Sequence, residues 1–237
     1  MSFNTWTPHA VSSNAFSWCA EVWRIVEAQH IASTMKLVDD FEEQEILEVL
    51  LEKNKPPLPM DAFGLEYLLA TPFRYNPKRG GSRFRSEIDP GVFYGAQSIQ
   101  AAGAELGYWR LKFLQDAIEL NNLSPVAHTV FSCKPTCLAV DLRQNPFLVD
   151  QEAWCNSTDY LATQEFARIA RRANMQAIVY QSVRDTDDSW CAAILDPAVF
   201  IGVRANINPN TWFLSVQHEG VRLKSQESFY SYHFQKR

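Results

Sequence analysis

The chain has 237 residues, 46% of them apolar, with 22 basic and 27 acidic side chains and a formal net charge of −5. This length allows one compact domain or two small ones, with enough apolar side chains for a core that needs no disulfide or metal staples. The apolar share excludes wholesale disorder. The mild acidity argues against a dedicated nucleic-acid binder, though not against a local basic pocket for a small anion.

No stretch reaches the roughly 18 apolar residues of a membrane span. Residues 1–11 have neither a basic start nor an apolar core, so a secretory signal is not expected there. Cys19, Cys133, Cys137, Cys155 and Cys191 form an odd, scattered set. Such a set reads as free thiols in a reducing cytoplasm. Cys133 and Cys137, with His128 and Cys155 nearby, invite a zinc reading, but no second paired motif follows. Buried thiols beside a loop are the simpler account.

Residues 44–54 read as a helix, because Ile46, Leu47, Leu50 and Leu51 fall at helical spacing. Asp39 and Asp40 can cap it, Glu42 and Glu43 suit its positive end, and Lys53 sits near its close. Lys-Pro-Pro-Leu-Pro at 55–59 is a stiff turn, and a second helix is expected over 63–70. Residues 78–85 form a basic loop with glycines, and 91–96 is β-prone. Ser98 then begins a helix with Ile99, Ala102, Leu106, Trp109 and Phe113 on one face. Further strands are expected at 137–142, 177–183, 191–195 and 211–217, with a helix over 159–172. Strands and helices mix without regular βαβ alternation, which predicts an α+β fold.

Three features carry chemistry. Arg74, Arg79, Arg83 and Arg85 lie among Gly80, Gly81 and aromatic residues. Arginine's planar fork suits phosphate oxygens, and glycines let the backbone approach. A solvated basic loop fits the spacing equally well, and neither common phosphate-loop fingerprint is present. Glu105 lies about 40° around its helix from Trp109 and about 60° from Ala102, at the margin of the apolar face. It either snorkels to water or lines a cleft. Tyr-Gln-Ser-Val-Arg at 180–184 closes a predicted strand, where polar groups often line sites. No Gly-x-Ser-x-Gly elbow surrounds Ser182, and His30, His128, His218 and His233 form no recognisable pair.

Together these pieces resemble the RES family, named for an arginine, a glutamate and a serine. The similarity begins at Trp-Arg-Ile-Val-Glu-Ala-Gln-His (23–30) and Glu-Gln-Glu-Ile-Leu-Glu (43–48). It is strongest at Thr-Pro-Phe-Arg-Tyr (71–75), Gly-Ser-Arg-Phe-Arg (81–85), Phe-Tyr-Gly-Ala (93–96) and Ala104-Glu105. It resumes at Asp159-Tyr160, Gln164 and residues 180–184, and ends near Phe200.

The resemblance implies an ADP-ribosyltransferase-like α+β fold and a toxin of a bacterial toxin–antitoxin pair that depletes NAD+. It implies cleavage of the nicotinamide–ribose bond, by phosphorolysis to ADP-ribose 1″-phosphate or by hydrolysis to ADP-ribose. NAD+ is then a substrate, and no cofactor or metal is expected. The implied partners are an Xre-like antitoxin and a second copy in a homodimer, with no nucleic acid and no membrane. Carried over by position, Arg74, Arg83, Glu105 and Ser182 are the expected catalytic residues. Tyr75, Tyr94, Arg85 and Arg184 are the expected substrate contacts. The stretch between Arg74 and Arg83 is short. Arg83 is preferred to Arg85 as the phosphate contact, because Arg83 to Tyr94 and Tyr94 to Glu105 are both 11 residues. The alternatives are a protein mono-ADP-ribosyltransferase of the same fold and a non-catalytic zinc-bearing module. The whole chain is expected to form one domain. It has a helical N-terminal region (1–59), a catalytic core (about 60–200) and a β-rich end (201–237).

Overall fold

Short apolar runs pair into one sheet, and helices pack against it. The computed structural model describes residues 6–28, 38–75, 81–117 and 119–234. The first part of the chain supplies α1 (Pro8–Ser12), β1 (Phe16–Cys19), β2 (Val22–Glu27), α2 (Phe41–Lys53) and α3 (Tyr67–Arg74). The middle supplies β3 (Phe93–Ala96), α4 (Ile99–Asp116), β4 (Asn122–Cys133), β5 (Thr136–Asp141), α5 (Gln151–Trp154) and α6 (Leu161–Arg172). The last part supplies β6 (Ala177–Gln181), β7 (Trp190–Ile194), β8 (Asn206–Ile207), β9 (Trp212–Gln217), β10 (Gly220–Lys224) and β11 (Phe229–Tyr232). The eleven strands form one sheet in the order β1-β5-β6-β7-β3-β2-β4-β9-β10-β11, with β8 paired to β4. β5 and β6 run parallel, joined by a crossover that contains α5 and α6. The fold is α+β, as the irregular mixture of signals predicts.

The N-terminal region, expected to be helical, also supplies β1 and β2. β2 lies deep inside the sheet, between β3 and β4. Val22 packs into one core layer and Ile25 into the other. A strand covered on both faces shows no polar–apolar alternation, which hides it in the sequence. The long strand β4 is disguised by Pro125. Its register with β9 shifts between Leu123 and Val126, and an irregularity of this kind accommodates a proline in a strand.

The caps read from the sequence form. Asp40 Oδ1 accepts from the Glu43 amide at 2.8 Å, and Glu43 Oε2 accepts from the Asp39 amide at 3.0 Å. These two bonds open α2 with a cap close to a capping box. α3 begins four residues later than expected, after Gly64 at φ +81°. That left-handed glycine is incompatible with a helix running through it.

Ser98 caps α4, accepting from the Ala101 amide at 3.1 Å. The buried face of α4 differs from the expected one. Ala101, Gly103, Ala104 and Gly107 are buried, with Gly103 and Gly107 against the sheet, while Trp109 and Phe113 are 46% and 54% exposed. Close approach explains the choice. A Cβ on Gly103 would lie 2.3 Å from the Tyr232 hydroxyl oxygen, and one on Gly107 3.0 Å from Val221 Cγ1. Only small residues let the helix seat on β10 and β11 at this distance, so the bulky stripe turns aside. Glu105 is carried to the edge of the contact.

The zinc alternative fails on geometry. His128 and Cys133 are five residues apart on one strand and so point to opposite faces. Cys133 and Cys137 sit in an apolar layer where burial pushes both thiols up to about 12. Among the described residues no three metal-capable side chains come together, and no helix is long and apolar enough to cross a membrane.

Candidate active site

β2 and β3 share a single register pair, Trp23 with Ala96. Past that pair the strands part, and the opening holds the side chain of Arg24. Arg24 Nη1 donates to the Tyr94 carbonyl at 2.6 Å, and its guanidinium lies 5.0 Å from the Phe93 ring centre. Arg24 Nε is buried and has no hydrogen-bond partner. Burial lowers the Arg24 pKa to about 10, so it remains a cation at neutral pH.

A cavity of about 250 Å³ opens beside this split, between α4 and the sheet. Arg24, Arg83, Tyr94, Glu105, Trp109 and Tyr160 are in its wall. Glu105, at the margin of the α4 apolar face, lines the cleft, the second of the two roles open to it. Ser182 donates from Oγ to Glu105 Oε1 at 2.7 Å, and the Cys191 thiol lies 3.9 Å from the same oxygen. Ser182 Oγ also accepts from the amides of Arg184 and Asp185 at 3.3 and 3.2 Å. The turn after β6 therefore fixes the serine, and the serine fixes the glutamate. Burial raises the Glu105 pKa above its ordinary value, against the Ser182 hydrogen bond and the charges of Arg83 and Arg184, which lower it.

Arg83 is buried on the opposite wall. Its Nη1 donates to the carbonyls of Trp154 and Asn156 at 2.8 and 2.9 Å, and its guanidinium lies 4.7 Å from the Tyr160 ring centre. The turn that carries it is closed by a Ser82–Arg85 bridge. Tyr94 anchors that turn: its hydroxyl shares a 2.8 Å hydrogen bond with Ser82 Oγ and accepts from the Phe84 amide at 3.0 Å. Among the described residues neither Arg24 nor Arg83 forms an ion pair. Two cations held by carbonyl oxygens, without carboxylate partners, make a cavity suited to an anion.

The structure thus brings Arg83, Tyr94, Glu105 and, behind it, Ser182 together. It places the other sequence-expected site residues outside the cavity wall. Arg74 ends α3, and its Nε donates to the Pro56 carbonyl at 2.6 Å. Tyr75 beside it is exposed. Arg85 is buried and donates from Nε to the Asp89 carbonyl at 3.1 Å, bracing the 85–89 turn. Arg184 donates to the Ser157 carbonyl and to the Tyr160 hydroxyl, and its guanidinium stacks 3.3 Å from the Tyr108 ring centre. It positions the 157–160 loop and hence Tyr160. Lys78, Arg79 and Gly80 of the basic loop, and His30, lie outside the described residues.

Sequence reasoning missed Arg24 and Tyr160 as site residues. The signal for Arg24 was an arginine inside the run Val-Trp-Arg-Ile-Val, where a surface charge has no place. Tyr160 was legible only as part of the Asp159-Tyr160 match to the family, and its place in the site comes from the loop that presents it to Arg83.

The family model described as RES domain matches residues 58–215 of the chain. No curated protein matches it. Among solved structures, the chain is similar to one in the crystal structure of the M. tuberculosis MbcT-MbcA toxin-antitoxin complex. The two are 12% identical with a TM-score of 0.48, and the match covers 91% of this chain and 93% of that one.

Proposed function

Because the chain belongs to the RES domain family, we propose that it cleaves the nicotinamide–ribose bond of NAD+ in the cavity beside Arg24. One observation carries this reading: a carboxylate fixed by Ser182 faces two arginines that have no carboxylate partner. Arg83 and Glu105 keep the roles that the family resemblance implies, whereas Ser182 positions Glu105 and Tyr94 holds the turn that carries Arg83. Arg24 takes the place in the cavity that the resemblance gave to Arg74.

Bond breaking sends the glycosidic electron pair to the nicotinamide nitrogen and leaves positive charge on the ribose ring. The transition state is oxocarbenium-like. Nicotinamide departs neutral, so no strong general acid is needed. Glu105, already fixed by Ser182, stabilises the developing cation without reorganising. Arg24 and Arg83 hold the diphosphate or an attacking phosphate, and the rings of Tyr160 and Trp109 offer faces to nicotinamide. Inorganic phosphate as attacker forms the C1″–O bond of ADP-ribose 1″-phosphate. Water as attacker gives ADP-ribose and a proton.

Purified protein incubated with NAD+ should release nicotinamide, followed by chromatography with and without phosphate. The product, ADP-ribose 1″-phosphate or ADP-ribose, identifies the attacker. Adenine-labelled NAD+ that leaves label on lysate proteins would move the acceptor to protein. No nicotinamide release from folded protein in any arm overturns the reading.

A positioning role for Ser182 predicts a pH signature. Its hydrogen bond favours the ionised form of Glu105. Ser182→Ala should therefore raise the Glu105 pKa further and move the acid limb of kcat to higher pH. A purely structural serine would lower kcat and leave the limb in place.

By the same family reading, the protein is a cytoplasmic toxin that forms a homodimer and is silenced by an Xre-like antitoxin covering the cleft. Co-expression with an Xre-like antitoxin that binds the protein should abolish NAD+ loss in cells.

A further inference from the structure

A cavity of about 250 Å³ is smaller than the roughly 300–1,000 Å³ pockets that enclose drug-sized ligands. A whole dinucleotide needs more room. Arg24 also lines a second cavity of about 290 Å³, on the other side of the strand split, between α3 and strands β2 and β4. The alternation along β2 explains why one residue serves both. Val22 packs in the core layer on the α3 side, so Arg24, two residues on, leaves the strand on that same side. It then reaches back through the split to the Tyr94 carbonyl.

The second cavity has the chemistry of a nucleoside site. Tyr67, whose ring centre lies 5.7 Å from the Lys55 ammonium, is 47% exposed and brings aromatic surface to the wall. Leu68 supplies apolar surface. Thr71 Oγ1 donates to the Tyr67 carbonyl at 2.6 Å, which leaves its lone pairs as acceptors for an exocyclic amino group. Thr129 adds an acceptor suited to a ribose hydroxyl. We infer that this α3 groove is the adenosine subsite, with the diphosphate crossing the strand split on Arg24. The inference rests on the NAD+ reading above.

Nicotinamide mononucleotide contains the same scissile bond and lacks the adenosine. The test compares kcat/KM for NAD+ and for nicotinamide mononucleotide in the wild type and in Thr71→Trp, whose indole fills the groove. The preference for NAD+ should fall at least about tenfold in the variant. A preference that stays within twofold of wild type overturns the inference, because both substrates then see the groove alike. A second measurement uses the wild type alone. 8-Azido-AMP photolysed with the protein should label the peptide containing Tyr67 to Pro72, in competition with NAD+, and label found only elsewhere also overturns it. The two readings fail separately. Absence of turnover on both substrates removes the NAD+ reading, whereas turnover with an unchanged preference removes the groove alone.

Discussion

Glu105→Gln should lower nicotinamide release at least about 100-fold, a loss of about 3 kcal/mol of barrier stabilisation, and should raise the melting temperature at neutral pH. Both effects follow from the same environment. The carboxylate lies in the wall of the cavity, and burial raises its pKa above the ordinary 4.5. A carboxyl whose folded pKa is raised binds its proton more tightly folded than unfolded. Its ionisation therefore opposes folding, increasingly as pH rises from the ordinary value through the folded one, and fully above both. Glutamine keeps an oxygen for the Ser182 hydroxyl and carries no charge to desolvate. The thermal gain should be present near pH 7.5 and vanish at a pH well below 4.5, where glutamate is protonated in both states. Melting curves at the two pH values, beside turnover at the higher one, check it. A variant that loses stability at both would show Glu105 to be a packing residue. A variant that keeps wild-type turnover would remove it from the chemistry.

Much of the fold was legible because several elements follow local rules. The caps at Asp40 and Ser98 and the apolar runs of β5, β6, β7 and β9 formed within a residue or two of expectation. What stayed hidden depends on contacts between distant segments. β2 is covered on both faces, so its sequence shows no alternation, and its place between β3 and β4 is set by partners far along the chain. The α4 face was misread because apolar bulk does not decide burial where a helix must approach a sheet closely. Gly103 and Gly107 decide it, through Tyr232 and Val221. In the site, Glu105 and Ser182 were legible as residue types at suspicious positions. Which arginine joins them was not, because Arg74 and Arg24 have equally suggestive surroundings in sequence. The choice is made by the parting of β2 from β3.

That choice gives the second large effect. Arg24→Gln should lower kcat/KM for NAD+ at least about 100-fold, and Arg74→Ala should change it by less than about threefold. Arg24 reaches the Tyr94 carbonyl with one nitrogen, and its buried Nε has no partner. Glutamine keeps a polar amide on a similar stem in the split while the charge is removed. Losing one partner of a buried charge pair costs about 2–5 kcal/mol, which spans the expected fall. Arg24→Lys should recover little of it. An ammonium is a point charge on a flexible stem, whereas this position needs a planar fork that serves a backbone carbonyl and an anion together. Arg74 instead donates to the Pro56 carbonyl at the end of α3, away from the cavity wall. Its removal should show in the melting temperature before it shows in turnover. Steady-state kinetics of the three variants, with melting curves to establish folding, separate the two arginines. Equal losses at Arg24 and Arg74 would mean that substrate spans far more of the surface than the strand split. A loss at Arg74 alone would return the anion site to the α3 end, where the sequence first pointed.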